Sequence, residues 1–306
     1  MRCDQDANVY LVQAPHYSAR EAERAAKAGR DLDFDPRQVL RISAEGGRKK
    51  IIDPAAGTRF ATAKRLLTAG IALDRDGTLY LLVWVTWDGE DPDARSQYIL
   101  SLDERGKWHT EVDVDEEEMT VRRFAVFGSG DFLLVGHPWG KPDEERLAIL
   151  EASGGKLRDV PGWSGYPAGV TDETSETGTV LFDYMVLGGD GRIYFAEQDP
   201  RLEEIVVFAF EPSGVSGEAF RLPRMPRNRQ LRGLQAADDR IAAIYGEPSP
   251  DRKSARFWIA VFDSVLGGEM HTLYGPVPGR PLCCQRGGSE DRFTTLYRGK
   301  LVTMAP

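Results

Sequence analysis

The residues best suited to chemistry in this 306-residue chain stand in five short Pro-containing segments, each at the end of an apolar run. They read QAPHYS from Gln13, TWDGEDPD from Thr86, GHPWGKPDEE from Gly136, AEQDPRLEE from Ala196 and GEPSPDRK from Gly246. His16, Tyr17, Trp87, Asp88, His137, Trp139, Glu197, Asp199 and Glu247 thereby take comparable places. Aromatic faces with a few carboxylates suit a sugar, a cationic ligand or a peptide. The competing account is that proline ends strands and the acids are solvated. A basic segment, RLPRMPRNRQLR from Arg221, offers Arg224 and Arg227 for a bidentate grip on a carboxylate or phosphate. Its alternative is a solvated loop paired with acids such as those from Asp113 to Glu118.

Catalytic constellations are missing from the sequence. GWSGY at Gly162 has a serine but neither the spacing nor the preceding strand of a nucleophile elbow. His16, His109, His137 and His271 show no ligand spacing for zinc. Glu197 and Asp183 are isolated oxygen donors for a hard cation. The glycine-rich pieces GSGD and GGDG are not followed by helices, so they read as turns and not as phosphate cradles. No catalytic residue, metal ligand or cofactor is assigned.

The elements that must position these segments are hairpins. IALDRDGTLYLL, Ile71 to Leu82, is an apolar run, an Asp/Gly turn and a second apolar run. The shape returns in MRCDQDANVYLV at the start, FAVFGSGDFLLVG from Phe124, YMVLGGDGRIYFAE from Tyr184, GLQAADDRIAAIYG from Gly233 and TTLYRGKLVTM from Thr294. Between them lie more polar second hairpins, beginning at Gln38, Gln97, Arg146, Glu204 and Phe257. A four-stranded unit recurring every ~50–70 residues is the signature of a β-propeller. The expected fold is an all-β propeller of four-stranded blades in one domain over residues 1–306, with six blades favoured over five. Its sixth unit is expected to be an inner hairpin alone, Phe293 to Met304. Ser18 and Glu21 form a capping box for a short helical insertion over residues 18–29, and a helical turn fits within Arg59 to Gly70.

GIALDRDGTLYLL, and GGDGRIYFAEQ with the EIVVFAFEPSG that follows, resemble the inner hairpins of NHL-type and related TolB-like six-bladed propellers. The Gly233 and Thr294 units lack the D-x-x-G turn of that pattern. The resemblance implies an architecture and leaves activity open, because propellers serve as scaffolds, binders and enzymes alike. Lactonases of the gluconolactonase type use such a channel to hold a divalent cation. Here Asn8 and Asn228 do not stand in matching contexts.

A net charge of −9 argues against non-specific nucleic-acid binding, and no apolar run spans a membrane. Cys3, Cys283 and Cys284 are too few for a disulfide scaffold, and the adjacent pair reads as two reduced thiols. No signal peptide is legible, which leaves an extracytoplasmic location open if the N-terminus was trimmed. The reading is a non-catalytic binding or scaffold module that recognises a small molecule or a protein at the channel-mouth face. A metal-dependent lactonase-like hydrolase is the alternative.

Overall fold

The computed structural model describes residues 2–4, 6, 8–12, 38–44, 49–89, 96–103, 105–114, 119–141, 144–161, 163, 185–199, 204–226, 228–237, 239–248, 255–263, 270–277, 280–287, 290–297 and 300–304. Its strands form successive antiparallel sheets, each a meander of chain neighbours. Blade 1 holds β1 (Arg2–Cys3), β2 (Val9–Val12), β3 (Val39–Ile42) and β4 (Lys49–Ile52). Blade 2 holds β5 (Arg65–Leu73), β6 (Leu79–Thr86), β7 (Ser96–Leu102) and β8 (Trp108–Val114). Blade 3 follows with β9 (Met119–Val126), β10 (Phe132–Pro138), β11 (Arg146–Leu150) and β12 (Arg158–Asp159). Blade 4 comprises β13 (Met185–Leu187), β14 (Ile193–Asp199), β15 (Glu204–Glu211) and β16 (Gly214–Arg221). Blade 5 comprises β17 (Gln230–Ala237), β18 (Arg240–Pro248), β19 (Ala255–Asp263) and β20 (Met270–Val277). A three-stranded sheet takes the sixth place: β21 (Arg280–Gly287), β22 (Glu290–Tyr297) and β23 (Lys300–Met304).

First strands meet first strands around a circle. β1 touches β5, β5 touches β9, β9 touches β13, β13 touches β17, β17 touches β21, and β21 returns to β1. This is a β-propeller. Burial follows from that arrangement, because an inner strand has a neighbouring blade on each side. LYLLVWVT of β6 and IAAIYG within β18 are buried or half-buried throughout, whereas WHTEVDV of β8 is largely exposed. The apolar core therefore lies between blades rather than in one central mass.

The repeated Asp in the inner turns has a direct role. Asp74 Oδ1 accepts the N–H groups of Asp76 and Thr78 at 2.9 Å, and the Tyr80 hydroxyl donates to its other oxygen at 3.3 Å. Asp4 does the same for the N–H of Asn8 and the hydroxyl of Tyr10, as Asp190 does for Arg192 and Tyr194. Each Asp closes its turn and also ties it to the next strand's tyrosine. Burial, then the Asp74 carboxylate, push the Tyr80 phenol up to about 12.

Three expectations need correction or bounding. TTLYRGKLVTM is the outer hairpin of the sixth sheet, β22–β23, and not its inner one. The inner pair is β21–β22, with Gly287 opposite Glu290. Its strands, RPLCCQRG and EDRFTTLY, mix polar with apolar residues and have no Asp/Gly turn, so the more apolar hairpin carried the sequence signal. The stretch from Arg59 to Gly70 has a single 3-10 turn, Arg59–Thr62, capped by the Thr58 hydroxyl, and is already extended from Arg65. The helix expected over residues 18–29 lies outside the described residues, as do His16, Tyr17 and residues 164–184.

The cysteines also differ from expectation, for Cys3 on β1 is disulfide-bonded. The chain's other cysteines, Cys283 and Cys284, are consecutive on β21, the strand that β1 meets where the ring closes. A covalent link between Cys3 and β21 would span nearly the whole chain, and long loops gain most from closure. Cys3→Ser, or reduction of the parent, is expected to lower stability by about 2–4 kcal/mol in urea titrations. The turn glycines provide a second test. Gly77 and Gly191 have φ of 80° and 87°, and replacement of either by Val should cost about 1 kcal/mol or more in thermal melts.

Candidate functional site

Chain direction divides the propeller into two faces. Connections from second to third strand, and from fourth strand to the next blade, emerge on what is here called the upper face; the tight turns of each hairpin lie on the lower one. The sequence candidates Trp87, Asp88, His137, Trp139 and Glu247 all fall at the upper ends of second strands or just beyond them, as the repeat implies. Glu197 and Asp199 are on β14, opposite Val206 and Glu204. Arg224 is exposed on the connection into blade 5, and Arg227 lies outside the described residues.

Among the described candidates, Trp87 and Glu247 belong to two separate packed groups, and Asp88, Trp139 and Arg224 are exposed on loops. In the first group, Trp87 stacks on Phe60 with ring centroids 5.8 Å apart, and Phe60 meets Tyr98 edge-on at 5.2 Å. The Arg59 guanidinium covers all three rings at 5.0–5.4 Å and pairs with Glu111 at 2.8 Å. Desolvation opposes its charge, but Glu111 and, less strongly, Tyr98 together outweigh it, so its pKa is raised. In the second group, Arg229 lies 3.7 Å over the Trp258 ring. Its Nε reaches Glu247 at 3.4 Å, and Arg256 reaches the other Glu247 oxygen at 3.0 Å.

These groups are one device used twice. Tyr98 pairs with Val83, and Trp258 pairs with Tyr245, each partner three residues before the end of its second strand. In both blades the connection arriving from the previous blade brings an arginine onto the aromatic at this place, and a carboxylate neutralises it. Sequence reading named Trp87 and Glu247 but missed Arg59, Tyr98, Arg229 and Trp258. The repeated register of the third strand was the signal that could have found them.

Elsewhere on this face Trp139 is 61% exposed, and Asp88 is exposed beside it in style but on a different blade. The His137 Nδ1 is 3.1 Å from the Pro138 carbonyl, a contact its own loop provides. Among the described residues no three His, Cys, Asp or Glu side chains gather as a metal site would require. Asp183 lies outside those residues. Nor is any helix among them long and apolar enough to cross a membrane.

The lower face is tied together. Arg75, on the inner turn of blade 2, donates from Nη2 to the Gly188 and Gly189 carbonyls on the inner turn of blade 4. Between them, the turn of blade 3 approaches blade 4 so closely that a Cβ on Gly128 would lie 3.6 Å from Gly191 Cα. The turns of three blades thus converge beneath the ring.

No protein-family model and no curated protein matches the chain. Among solved structures it is similar to a gluconolactonase from Xanthomonas campestris, with 16% identity over 90% of this chain and 81% of that one and a TM-score of 0.48. A luciferin-regenerating enzyme shares 11% identity over 96% and 82% of the two chains, TM-score 0.48. Regucalcin from Agrobacterium tumefaciens, a calcium-binding protein, shares 11% over 86% and 76%, TM-score 0.43. The likeness is distant.

The two Glu247 bonds differ in exposure, which makes them separable. Glu247→Ala should lower stability by about 1–2 kcal/mol, since it strips a nearly buried carboxylate from two guanidinium groups. Arg256→Ala, at a 65% exposed side chain, should cost less than about 0.5 kcal/mol in the same urea titration.

Proposed function

We propose that the chain acts as one propeller domain and that it is a binding module, its ligand received on the upper face around the channel mouth. The carrying observation is the contrast between the faces: Arg75 ties the lower turns of blades 2 and 4, while Trp139 stands exposed on the upper loops. Trp139, Asp88 and Arg224 are the residues placed to touch a ligand there, with Trp87, Glu247 and His137 supporting the loops that carry them. Glu197, Asp199 and Arg227 belong to the same rim by sequence position. Among the described residues the six first strands carry no carboxylate. Together with the lack of a gathered acid–base set among the described residues, this favours binding over metal-assisted hydrolysis. The Cys3 disulfide suits an oxidising compartment.

The test is a thermal-shift screen of sugars, organic anions, organic cations and short peptides, repeated with Trp139→Ala. A ligand of the upper face should stabilise the parent and lose at least half of that shift in the variant, whose own melting temperature should match the parent's. If no class shifts the parent, or if every shift survives the substitution, the reading fails.

A further inference from the structure

The sixth sheet stops one strand short of the others. Among the described residues the first five sheets have four strands each, whereas β21, β22 and β23 make up the sixth and nothing pairs with the outer side of β23. Two side chains register the difference. Ile52 on β4 faces blade 2 and is 2% exposed beneath the β7–β8 turn, where a Cβ on Gly106 would lie 3.0 Å from its Cγ2. Ile51, the residue before it, pairs with Leu40 on the other face, toward the sixth sheet, and is 61% exposed. Val302 on β23 pairs with the buried Thr295 and shares the face on which Phe293 meets Tyr274 of blade 5. It is 38% exposed, although the third strands β7 and β11 are buried almost throughout. A strand added beside β23 would stand next to both side chains.

The register of β23 dictates how such a strand must pair. Tyr297 and Lys300 close a hairpin with two residues between them, so they form a hydrogen-bonded pair. Pairs alternate along an antiparallel ladder, which turns the backbone groups of Val302 and Met304 toward β22 as well. The Thr295 hydroxyl donates to the Val302 carbonyl at 3.5 Å, as this requires. The N–H and C=O groups of Leu301 and Thr303 are therefore the ones on the open edge.

We infer that this edge is a dimer interface, in which β23 pairs antiparallel with β23 of a second copy about a two-fold axis at Val302. That centre sets Leu301 opposite the partner's Thr303 and Thr303 opposite the partner's Leu301, so the outward groups of both strands bond to one another. An axis at Leu301 or at Thr303 would leave half of them without a strand partner. The two Val302 side chains meet in the close, non-hydrogen-bonded kind of pair, and Lys300 stands opposite the partner's Met304, so no like charges are opposed. The partner's Leu301 falls on the side of Ile51. It is this complementarity of the strand to itself, in backbone, side chain and charge, that favours a copy over an unrelated peptide. An isologous pairing also closes after two copies and leaves no further edge exposed.

Analytical ultracentrifugation of the full chain across a dilution series tests the interface. The parent should sediment as a reversible dimer. Val302→Lys sets two charges at the axis, and Thr303→Pro removes an outward N–H without touching the bonds to β22. Both should sediment as monomers at concentrations where the parent is a dimer, with the parent's circular dichroism spectrum. Val302→Cys should link into a covalent dimer when oxidised with diamide, because Cα atoms at the axis are about 4.5 Å apart. Ser129→Cys, exposed on the lower turn of blade 3, should not. Should a variant fail to fold, amide exchange of the parent decides: Leu301 and Thr303 should be protected in concentrated solution and lose that protection on dilution. A dimer that survives both substitutions overturns the interface, and so does a parent that is monomeric at every concentration. In that monomer, protected Leu301 and Thr303 amides would mean that the chain itself fills the edge, and unprotected ones that it is left open to some other strand.

Discussion

Face-to-face packing between successive blades is the constraint on which the rest depends. A four-stranded antiparallel sheet cannot bury both of its faces alone, so each blade needs a neighbour on either side. Aromatic pairs occupy several junctions. Tyr80 of blade 2 meets Phe132 of blade 3 at 5.5 Å, Phe220 of blade 4 stacks on Phe262 of blade 5 at 4.6 Å, and Tyr274 of blade 5 meets Phe293 of the sixth sheet at 5.6 Å. Hydrogen bonds also lock the junction of blades 2 and 3, where the buried Gln97 amide of blade 2 donates to the Met119 carbonyl and accepts the Val121 N–H of blade 3. Local stability is thereby made a property of pairs of blades.

A ring built this way must close, since an unclosed end would leave a whole apolar face in water. Closure here joins β1 to β21, the first strand of the chain to the innermost strand of the last sheet. Many ring proteins could meet this need by pairing strands from both termini in one sheet. In this molecule each sheet is made from consecutive chain, and the disulfide at Cys3 lies at the closing junction. The covalent bond accordingly stands where non-covalent contact between chain ends is thinnest, β1 being only two residues long.

The same economy governs charge. Polar groups within a blade junction have to be satisfied locally, and the chain does so with repeated devices: an Asp carboxylate in the inner turns of blades 1, 2 and 4, and an arginine over an aromatic with its own carboxylate at two upper corners.

Much of this was legible in the residues, and particular positions show why. The hairpins at Ile71, Phe124, Tyr184 and Gly233 announced themselves because turn chemistry and apolar flanks are local properties, readable within about a dozen residues. Their recurrence determined the blade, and with it the face on which Trp87, Asp88, Trp139 and Glu247 would emerge. The sixth inner hairpin escaped, since the polar, cysteine-bearing sequence of β21 carries no local signal and only its contacts with blades 1 and 5 mark its place. Only the tertiary structure decided that Trp87 is covered by Arg59 whereas Trp139 is free to the solvent, and that Arg75 reaches from blade 2 to blade 4. Those outcomes depend on which blade stands beside which. Distance across a closed ring is set by the packing of whole sheets, and no short stretch of sequence contains it.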